Sequence, residues 1–339
     1  MGASFAVDLR SDTVTRPTDA MRRAMAEAEV GDDGFGDDPT LNRLQEAFAA
    51  RVGQEAALFL PSGTMANQVA LRVLAPPGTA VVAGRRQHVV THEGGAFGIN
   101  QSAQLQVVDD EDGTIDPAEV AYLVEAAGHR WPQPSVVCAE NTHLSSGGRA
   151  WPLERFRALV DVGVPVHLDG ARLFNASVAA GVAPAAYGSL ATSVTACLSK
   201  GLGAPIGSLL AGSADFVDRA RLERKRLGGT MRQVGVVAAA GLVALDTMVD
   251  RLADDHARAR RLAAAVEERW PGANRGAPSE LMTNVVLFHH DDPLRLLGYL
   301  AGEGVGAVTL GPRLVRLVTH ADVDDEGVDR AVAALKGAP

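Results

Sequence analysis

The sequence predicts an α/β protein, a mostly parallel sheet with helices on both faces, followed by a small C-terminal α+β domain. Three observations carry that expectation. From residue 56 to about 211, short apolar runs alternate with amphipathic stretches, the pattern of parallel strands joined by crossover helices. From Ser213 to Trp270 helical patterns dominate instead. After Asn284, strand-like and helix-like stretches alternate again on a shorter scale. A chain of 339 residues is long for one core, so we expect an arm over residues 1–16, a large domain over 17–248 and a small one over 249–339.

Taken in order, the arm from Asp8 to Arg16 reads as extended and leads to Pro17, which suits a first helical position; Met21, Ala24, Met25 and Ala28 then recur at helical spacing. The glycine and aspartate loop Gly31–Asp38 follows. It lacks the glutamate that a hand-type calcium loop needs at its twelfth position. Asp38 as N-cap and Pro39 behind it start a helix carrying Leu41, Leu44, Phe48 and Val52, which Gly53 stops. Strand-like runs come at residues 57–60, 80–83, 105–108, 135–139, 164–168, about 194–198 and 208–211, with helices at 117–127 and 152–162 among the connections. In the C-terminal part, 284–288, 305–310 and 314–318 read as strands, and 293–301 and 322–335 as helices.

Composition narrows the function. With 41 acidic and 32 basic side chains, a net charge of -9 and a pI near 5.5, neither a nucleic-acid binder nor a basic membrane-surface protein is expected. No segment has the apolar length of a membrane span, and the stretch from Met1 to Arg16 lacks the apolar centre of a signal peptide. Cys138 and Cys197 lie in apolar runs, which suits reduced thiols and a cytoplasmic location.

Only three of the 32 basic residues are lysines, and one of them, Lys200, stands at the end of an apolar strand in a turn of small residues. A lysine can form a Schiff base and an arginine cannot, so this placement points to amine chemistry, the alternative being a lysine that reaches out of a strand end to water. Four further constellations accompany it. Ser62, Gly63 and Thr64 open a helix, where free backbone N–H groups suit a phosphate, although capping explains the same residues. Asp169 ends a strand thirty-one positions before Lys200 and could keep a pyridine nitrogen protonated, or simply cap a turn. His88 is a flat imidazole that could lie on a flat cofactor; His92 and Glu93 follow, but the β-branched Val89-Val90-Thr91 and the Gly94-Gly95 pair speak against a metal-binding helix, and no metal is expected. Arg232 and Arg316 offer guanidinium forks for phosphate and carboxylate.

The residues that carry these features also carry a resemblance. Arg10-Ser11-Asp12-Thr13-Val14-Thr15-Arg16-Pro17, Gly36-Asp37-Asp38-Pro39-Thr40, Pro61-Ser62-Gly63-Thr64-Met65-Ala66-Asn67, Glu140-Asn141-Thr142-His143, Asp169-Gly170-Ala171-Arg172, Leu198-Ser199-Lys200-Gly201, Met231-Arg232-Gln233 and Val315-Arg316-Leu317-Val318-Thr319-His320 occur in this order. The chain resembles the low-specificity L-threonine aldolases, pyridoxal 5'-phosphate enzymes of the aspartate aminotransferase fold (fold type I). The resemblance implies retro-aldol cleavage of L-threonine, L-allo-threonine and related β-hydroxy-α-amino acids to glycine and an aldehyde. It implies that Lys200 holds the cofactor as a Schiff base, that Asp169 pairs with its ring nitrogen and that His88 stacks on the ring. Ser62, Gly63 and Thr64 would bind the phosphate, helped by Arg232 from a neighbouring subunit of a homotetramer, a dimer of dimers with active sites at the subunit interface. Ser11, Arg172 and Arg316 would hold the substrate carboxylate, with Arg172 also binding the cofactor near its phenolic oxygen. His88 and His143, or Glu93 through a water, would serve as catalytic base; for His143 a plain loop histidine is the alternative reading. Two departures stand out: Gly34-Phe35 replaces a Val-Tyr pair usual in that loop, and Arg313 is an additional arginine, which leaves open whether Arg313 or Arg316 binds the carboxylate.

Two rival readings remain at this level. One keeps the cofactor but breaks Cα–H, as a β-eliminating lyase or aminotransferase does, and would release ammonia and a keto acid. The other is a non-catalytic protein of the same fold. A nicotinamide dinucleotide enzyme is disfavoured because no strand leads into a G-x-G-x-x-G turn.

Overall fold

The computed structural model describes residues 5–275 and 279–339; residues 1–4 of the arm lie outside them. The arm enters as β1 (Val7–Asp8) and then makes a 3-10 turn over Asp12–Val14, capped by the Ser11 hydroxyl. Pro17 does not begin the first helix. Thr18 takes the cap instead, its hydroxyl accepting from Met21 N at 3.2 Å, and α1 runs over Asp19–Ala26. Helix α2 (Pro39–Val52) starts as expected, with Asp38 accepting from Leu41 N at 2.9 Å, and Gly53 ends it in the left-handed region at φ 70°.

The alternating region folds as β2 (Ala56–Leu60), α3 (Gly63–Leu74), β3 (Ala80–Gly84), α4 (His88–Thr91), α5 (Ala96–Asn100), β4 (Gln104–Val108), α6 (Pro117–Ala126), β5 (Pro134–Glu140), α7 (Leu153–Val160), β6 (Val166–Asp169), α8 (Leu173–Ala180), α9 (Ala185–Gly188), β7 (Ser193–Cys197) and β8 (Ser208–Gly212). The seven strands make one sheet in the order β2-β8-β7-β6-β5-β3-β4. Pairing is parallel from β7 across to β4, and only β8 runs antiparallel to its neighbours, because the short connection through Lys200 cannot cross over. Strands β3, β6, β7 and β8 are buried at every residue; β3 is an unbroken apolar run, whereas β6 and β7 also bury His167, Asp169, Ser193 and Thr195, each with a hydrogen-bond partner. Leu44, Phe48, Phe156 and Phe174 belong to the largest core cluster, and Val69, Ala70, Phe216 and Val217 to a second one on the sheet.

Helices α10 (Ala214–Arg226), α11 (Gly235–Thr247) and α12 (Leu252–Arg269) follow. The C-terminal part holds β9 (Val285–His289), α13 (Pro293–Gly302), β10 (Val305–Gly306), β11 (Val308–Gly311), β12 (Leu314–Val318) and α14 (Asp325–Gly337). The run expected as one strand over 305–310 is split. β10 turns away to pair in parallel with β1 of the arm, while β11, β12 and β9 form an antiparallel sheet. Gly306 permits this, since a Cβ there would meet the Phe5 ring at 2.7 Å. Val7 and Leu9 of the arm share a core with Leu262, Val266, Phe288, Leu317 and Val328, so the arm packs on the C-terminal part and delivers Ser11 and Asp12 to the large sheet. Among the described residues no helix is long and apolar enough to cross a membrane, and Cys138 and Cys197 are free and buried.

Candidate active site

The chemistry-bearing side chains gather where parallel strands end. Asp169 closes β6 and Glu140 closes β5, while Lys200, His88 and Asp110 follow β7, β3 and β4. Carboxyl ends of parallel strands are where an α/β sheet leaves a crevice for a ligand. Lys200 is held by its backbone: its carbonyl accepts from Thr15 Oγ1 at 3.0 Å and from Gly203 N at 2.9 Å, and Gly203 closes the turn at φ 76°. Among the described residues its Nζ has no hydrogen-bond or ion-pair partner.

Asp169 is buried. Its Oδ2 accepts from Asn67 Nδ2 at 2.7 Å and its Oδ1 from Ala171 N at 3.1 Å. Burial opposes its charge, but the positive charges of His88 and Lys200 and the Asn67 hydrogen bond outweigh it and lower its pKa. Glu93 lies beside it, accepting from Asn67 Nδ2 at 2.8 Å, Gln68 Nε2 at 2.7 Å and pairing with His88 Nδ1 at 2.9 Å. Burial works against a proton on His88, yet Glu93 and Asp169 raise its pKa. Residues 88–91 do form a helical turn despite their β-branched side chains, because Glu140 accepts from His88 N at 2.6 Å and Thr91 Oγ1 donates to Gln87 O. The turn ends at once, leaving the His88 and His92 rings stacked at 5.7 Å, with His92 Nδ1 occupied by the Thr91 hydroxyl at 2.6 Å.

At the start of α3, Ser62 is the N-cap and accepts from Met65 N at 3.2 Å. The first-turn N–H groups of Gly63 and Thr64 have no intrahelical acceptor. Gly63 sits so close to β7 that a Cβ would lie 2.9 Å from Cys197 Sγ, which places this helix start next to the strand that leads to Lys200.

The arginines divide clearly. Arg172 is buried and makes a two-pronged pair with the buried Asp12, Nε to Oδ2 at 2.7 Å and Nη2 to Oδ1 at 2.6 Å. Arg316 donates from Nη2 to Arg10 O at 2.8 Å, but its Nε is shielded from water and has no acceptor, and no carboxylate pairs with it among the described residues. Burial and the nearby Arg172 charge lower its pKa. Ser11 lies in the same arm, half-buried, its hydroxyl accepting from Thr13 N at 3.2 Å. Arg313 is not brought to this cluster. Its side chain is 75% exposed in the β11–β12 turn, 4.0 Å from Asp291. Arg232 is also apart, 72% exposed and 3.5 Å from Asp32, beside Phe35, which is 86% exposed. A buried Arg224–Asp33 pair at 2.8 Å fixes both loops, since Asp33 also accepts from Met231 N at 3.0 Å.

His143 is fully buried. Its Nε2 meets Asp110 Oδ2 at 3.0 Å, while Nδ1 has no partner. Burial opposes protonation, but the Asp110 hydrogen bond and the Glu140 charge raise its pKa. Asp110 is itself held by Arg86 N at 2.9 Å. Asp12, Asn67, Asp110, Glu140 and His167 join the site through contacts that the sequence does not point to. The strand-end positions of Asp110 and Glu140 were the available signal; pairings such as Asp12 with Arg172, 160 residues apart, leave none.

The comparisons follow the geometry. A family model described as β-eliminating lyase matches residues 8–286. Low-specificity L-threonine aldolase 1 of Arabidopsis thaliana is 40% identical over 345 residues, covering 98% of this chain and 96% of the relative. The low specificity L-threonine aldolase of Escherichia coli K12 is 40% identical over 332 residues, covering 96% and 97%. Among solved structures, a Leishmania major threonine aldolase superposes with a TM-score of 0.84 at 21% identity, covering 97% and 98% of the two chains. A Sphingomonas wittichii serine palmitoyltransferase superposes with a TM-score of 0.77 at 17% identity, covering 97% and 86%. The architecture is that of the fold type I pyridoxal phosphate enzymes, as the sequence leads one to expect. By the span of the family model and by the identity to relatives along nearly their whole length, the chain belongs to the β-eliminating lyase family.

Proposed function

We propose that this protein cleaves L-threonine, L-allo-threonine and related β-hydroxy-α-amino acids to glycine and an aldehyde, with pyridoxal 5'-phosphate as cofactor. The residues present fit that group: an unpartnered lysine amine, an ionised carboxylate at the next strand end, and a glycine-shaped helix start with free N–H groups. Lys200 would hold the cofactor, Asp169 face its ring nitrogen, His88 stack on the ring, and Ser62, Gly63 and Thr64 cradle the phosphate. When bound, the cofactor supplies an electron sink for the bond that breaks at Cα. The single observation that carries the reading is Lys200 and Asp169 on neighbouring strand ends, each within the other's field.

The chain's own residues supply the rest. Arg316, the guanidinium with an orphaned Nε, takes the substrate carboxylate, together with Ser11 of the arm and Arg172, which is tied to the arm through Asp12; Arg313, out in the solvent, does not. Fixing the carboxylate fixes which Cα bond is activated, and here that bond is Cα–Cβ. His143 accepts the β-hydroxyl proton at Nδ1, with Asp110 holding the other ring nitrogen. His88, aimed by Glu93, is the other base within the site. We place the protein in the cytoplasm, where buried free thiols persist. We also infer a homotetramer in which Arg232 and the exposed Phe35 loop meet a neighbouring copy and Arg232 reaches that copy's phosphate.

The test is product identity. Purified protein with pyridoxal phosphate is given L-threonine or L-allo-threonine, and glycine and acetaldehyde are assayed beside ammonia and 2-oxobutyrate, with Lys200→Ala as control. Equal glycine and acetaldehyde, lost in the variant, is the expected result. Ammonia and keto acid instead would overturn the retro-aldol reading in favour of β-elimination.

A further inference from the structure

Two carboxylates from different segments, Asp169 and Glu93, lie with His88 so that one ligand atom of each is within 4.8 Å of the others. Like charges this close ordinarily force one carboxyl to keep its proton. Here one amide separates them. Asn67 Nδ2 donates one hydrogen to Asp169 Oδ2 at 2.7 Å and the other to Glu93 Oε1 at 2.8 Å. Its amide cannot turn over, because Asn67 Oδ1 lies 3.1 Å from His167 Nε2 and His167 Nδ1 lies 2.8 Å from Ser193 Oγ. For both contacts to be hydrogen bonds, Nε2 carries the proton and Nδ1 accepts from the serine. Every member of this chain is buried.

We propose that Asn67 is a positioning residue: aimed by His167 and Ser193, it keeps Asp169 and Glu93 side by side as carboxylates, and thereby sets the charge offered to the cofactor's ring nitrogen and the aim of His88. This rests on the reading that Asp169 faces that nitrogen. The charged and titratable groups around the pair are His88 of α4, Lys200 after β7, Cys138 and Glu140 of β5 and His167 of β6. None of these donates to both carboxylates. Without the Asn67 amide, Asp169 loses one of the groups that, beside His88 and Lys200, hold its pKa down, so it takes up a proton more readily and the anion offered to the ring nitrogen is weakened. That proton leaves again as pH rises.

The test compares wild type with Asn67→Leu, His167→Phe and His167→Gln, measuring kcat and KM for L-threonine and the dissociation constant of pyridoxal phosphate across pH. For Asn67→Leu, kcat falls about tenfold or more below neutral pH, the scale of one lost hydrogen bond to a charged group, with KM little changed. Both kcat and cofactor affinity then recover as pH rises, a limb the wild type lacks in that range. His167→Phe reproduces the limb more weakly, and His167→Gln, which still donates to Asn67 Oδ1, removes it. Should Asn67→Leu not fold, the two His167 variants decide the matter. Profiles that superimpose on wild type, with only stability or overall rate lowered, overturn the proposal while the cofactor reading stands. A wild type that takes up no cofactor overturns both.

Discussion

Replacing Asp12 by asparagine tests the charge arrangement on which the carboxylate end of the site depends. Asp12 is fully buried, accepts two hydrogen bonds from Arg172 at 2.6 and 2.7 Å and a third from Asn284 Nδ2 at 3.2 Å. Burial pushes its pKa up, but the Arg172 charge and hydrogen bonds, with Lys200 behind them, bring it from 3.8 down to about 2. That difference corresponds to about 2 kcal/mol of stability. Because the folded value is the depressed one, this stability is present above the ordinary carboxyl range and is lost as pH falls from about 4 to about 2. Asp12→Asn removes this pH-dependent part and leaves Arg172 buried without its partner, which costs about 3–5 kcal/mol at neutral pH. Urea unfolding followed by tryptophan fluorescence, at steps from neutral pH down to about pH 2, reads both effects. We expect a lower midpoint for the variant at neutral pH and a shallower decline on acidification. A neutral-pH loss below about 1 kcal/mol, or an unchanged acid slope, would refute the assignment of this pair as the anchor of Arg172.

Three further outcomes are expected. Arg316→Leu lowers kcat/KM for L-threonine by about tenfold to a hundredfold, mainly through KM, as loss of a charged hydrogen-bond partner should, whereas Arg313→Ala, a change at an exposed pair, stays within about twofold; equal effects would return Arg313 to the site. Asp110→Asn removes the partner that raises the His143 pKa, so the acidic limb of the kcat profile moves to lower pH and kcat falls; a limb that does not move would take His143 out of the base role. Arg232→Ala weakens pyridoxal phosphate binding and Phe35→Asp reduces the mass seen by light scattering; a wild type that is fully active as a monomer would contradict both.

Much of the fold was legible because β3, β6, β7 and β8 are buried at every position and are built largely on apolar residues, and because Asp38-Pro39 and Gly53 mark the ends of α2 by local chemistry. Apart from the start of α1, where the neighbouring Thr18 takes the cap, what failed was decided by partners distant in sequence. The split of residues 305–311 follows from β10 pairing with Val7–Asp8, almost 300 positions earlier, and nothing in the local pattern announces it. The site shows the same division. Lys200 and Asp169 stood out as residue types at strand ends, but Asn67 was passed over inside a phosphate-loop motif, since its role comes from two carboxylates and a histidine on other segments. Arg313 and Arg316 could not be told apart from residue type; their exposure separates them at once.

That separation has a broader basis in how the site's charges are satisfied. Each buried carboxylate at the strand ends has donors of its own: Asp12 has Arg172, Glu93 has Asn67, Gln68 and His88, Asp110 has Arg86 N and His143, Glu140 has His88 N and Leu144 N, and Asp169 has Asn67 and Ala171 N. Among the described residues, the Lys200 amine and the Arg316 guanidinium near this cluster have no carboxylate partner. Shielding the Arg316 Nε from water without an anion costs free energy, and the half-buried Lys200 amine is left without an acceptor beside it. The two unmet charges therefore mark where a ligand's atoms belong. An α-amino acid brings a carboxylate for Arg316, and Lys200 would hold an aldehyde-bearing cofactor through its amine. Asp169, with one donor on each oxygen, keeps acceptor capacity in hand, which fits a residue that faces the cofactor's ring nitrogen rather than the substrate. The unpartnered Arg316 guanidinium and Lys200 amine thus fit an amino-acid substrate and an aldehyde cofactor together.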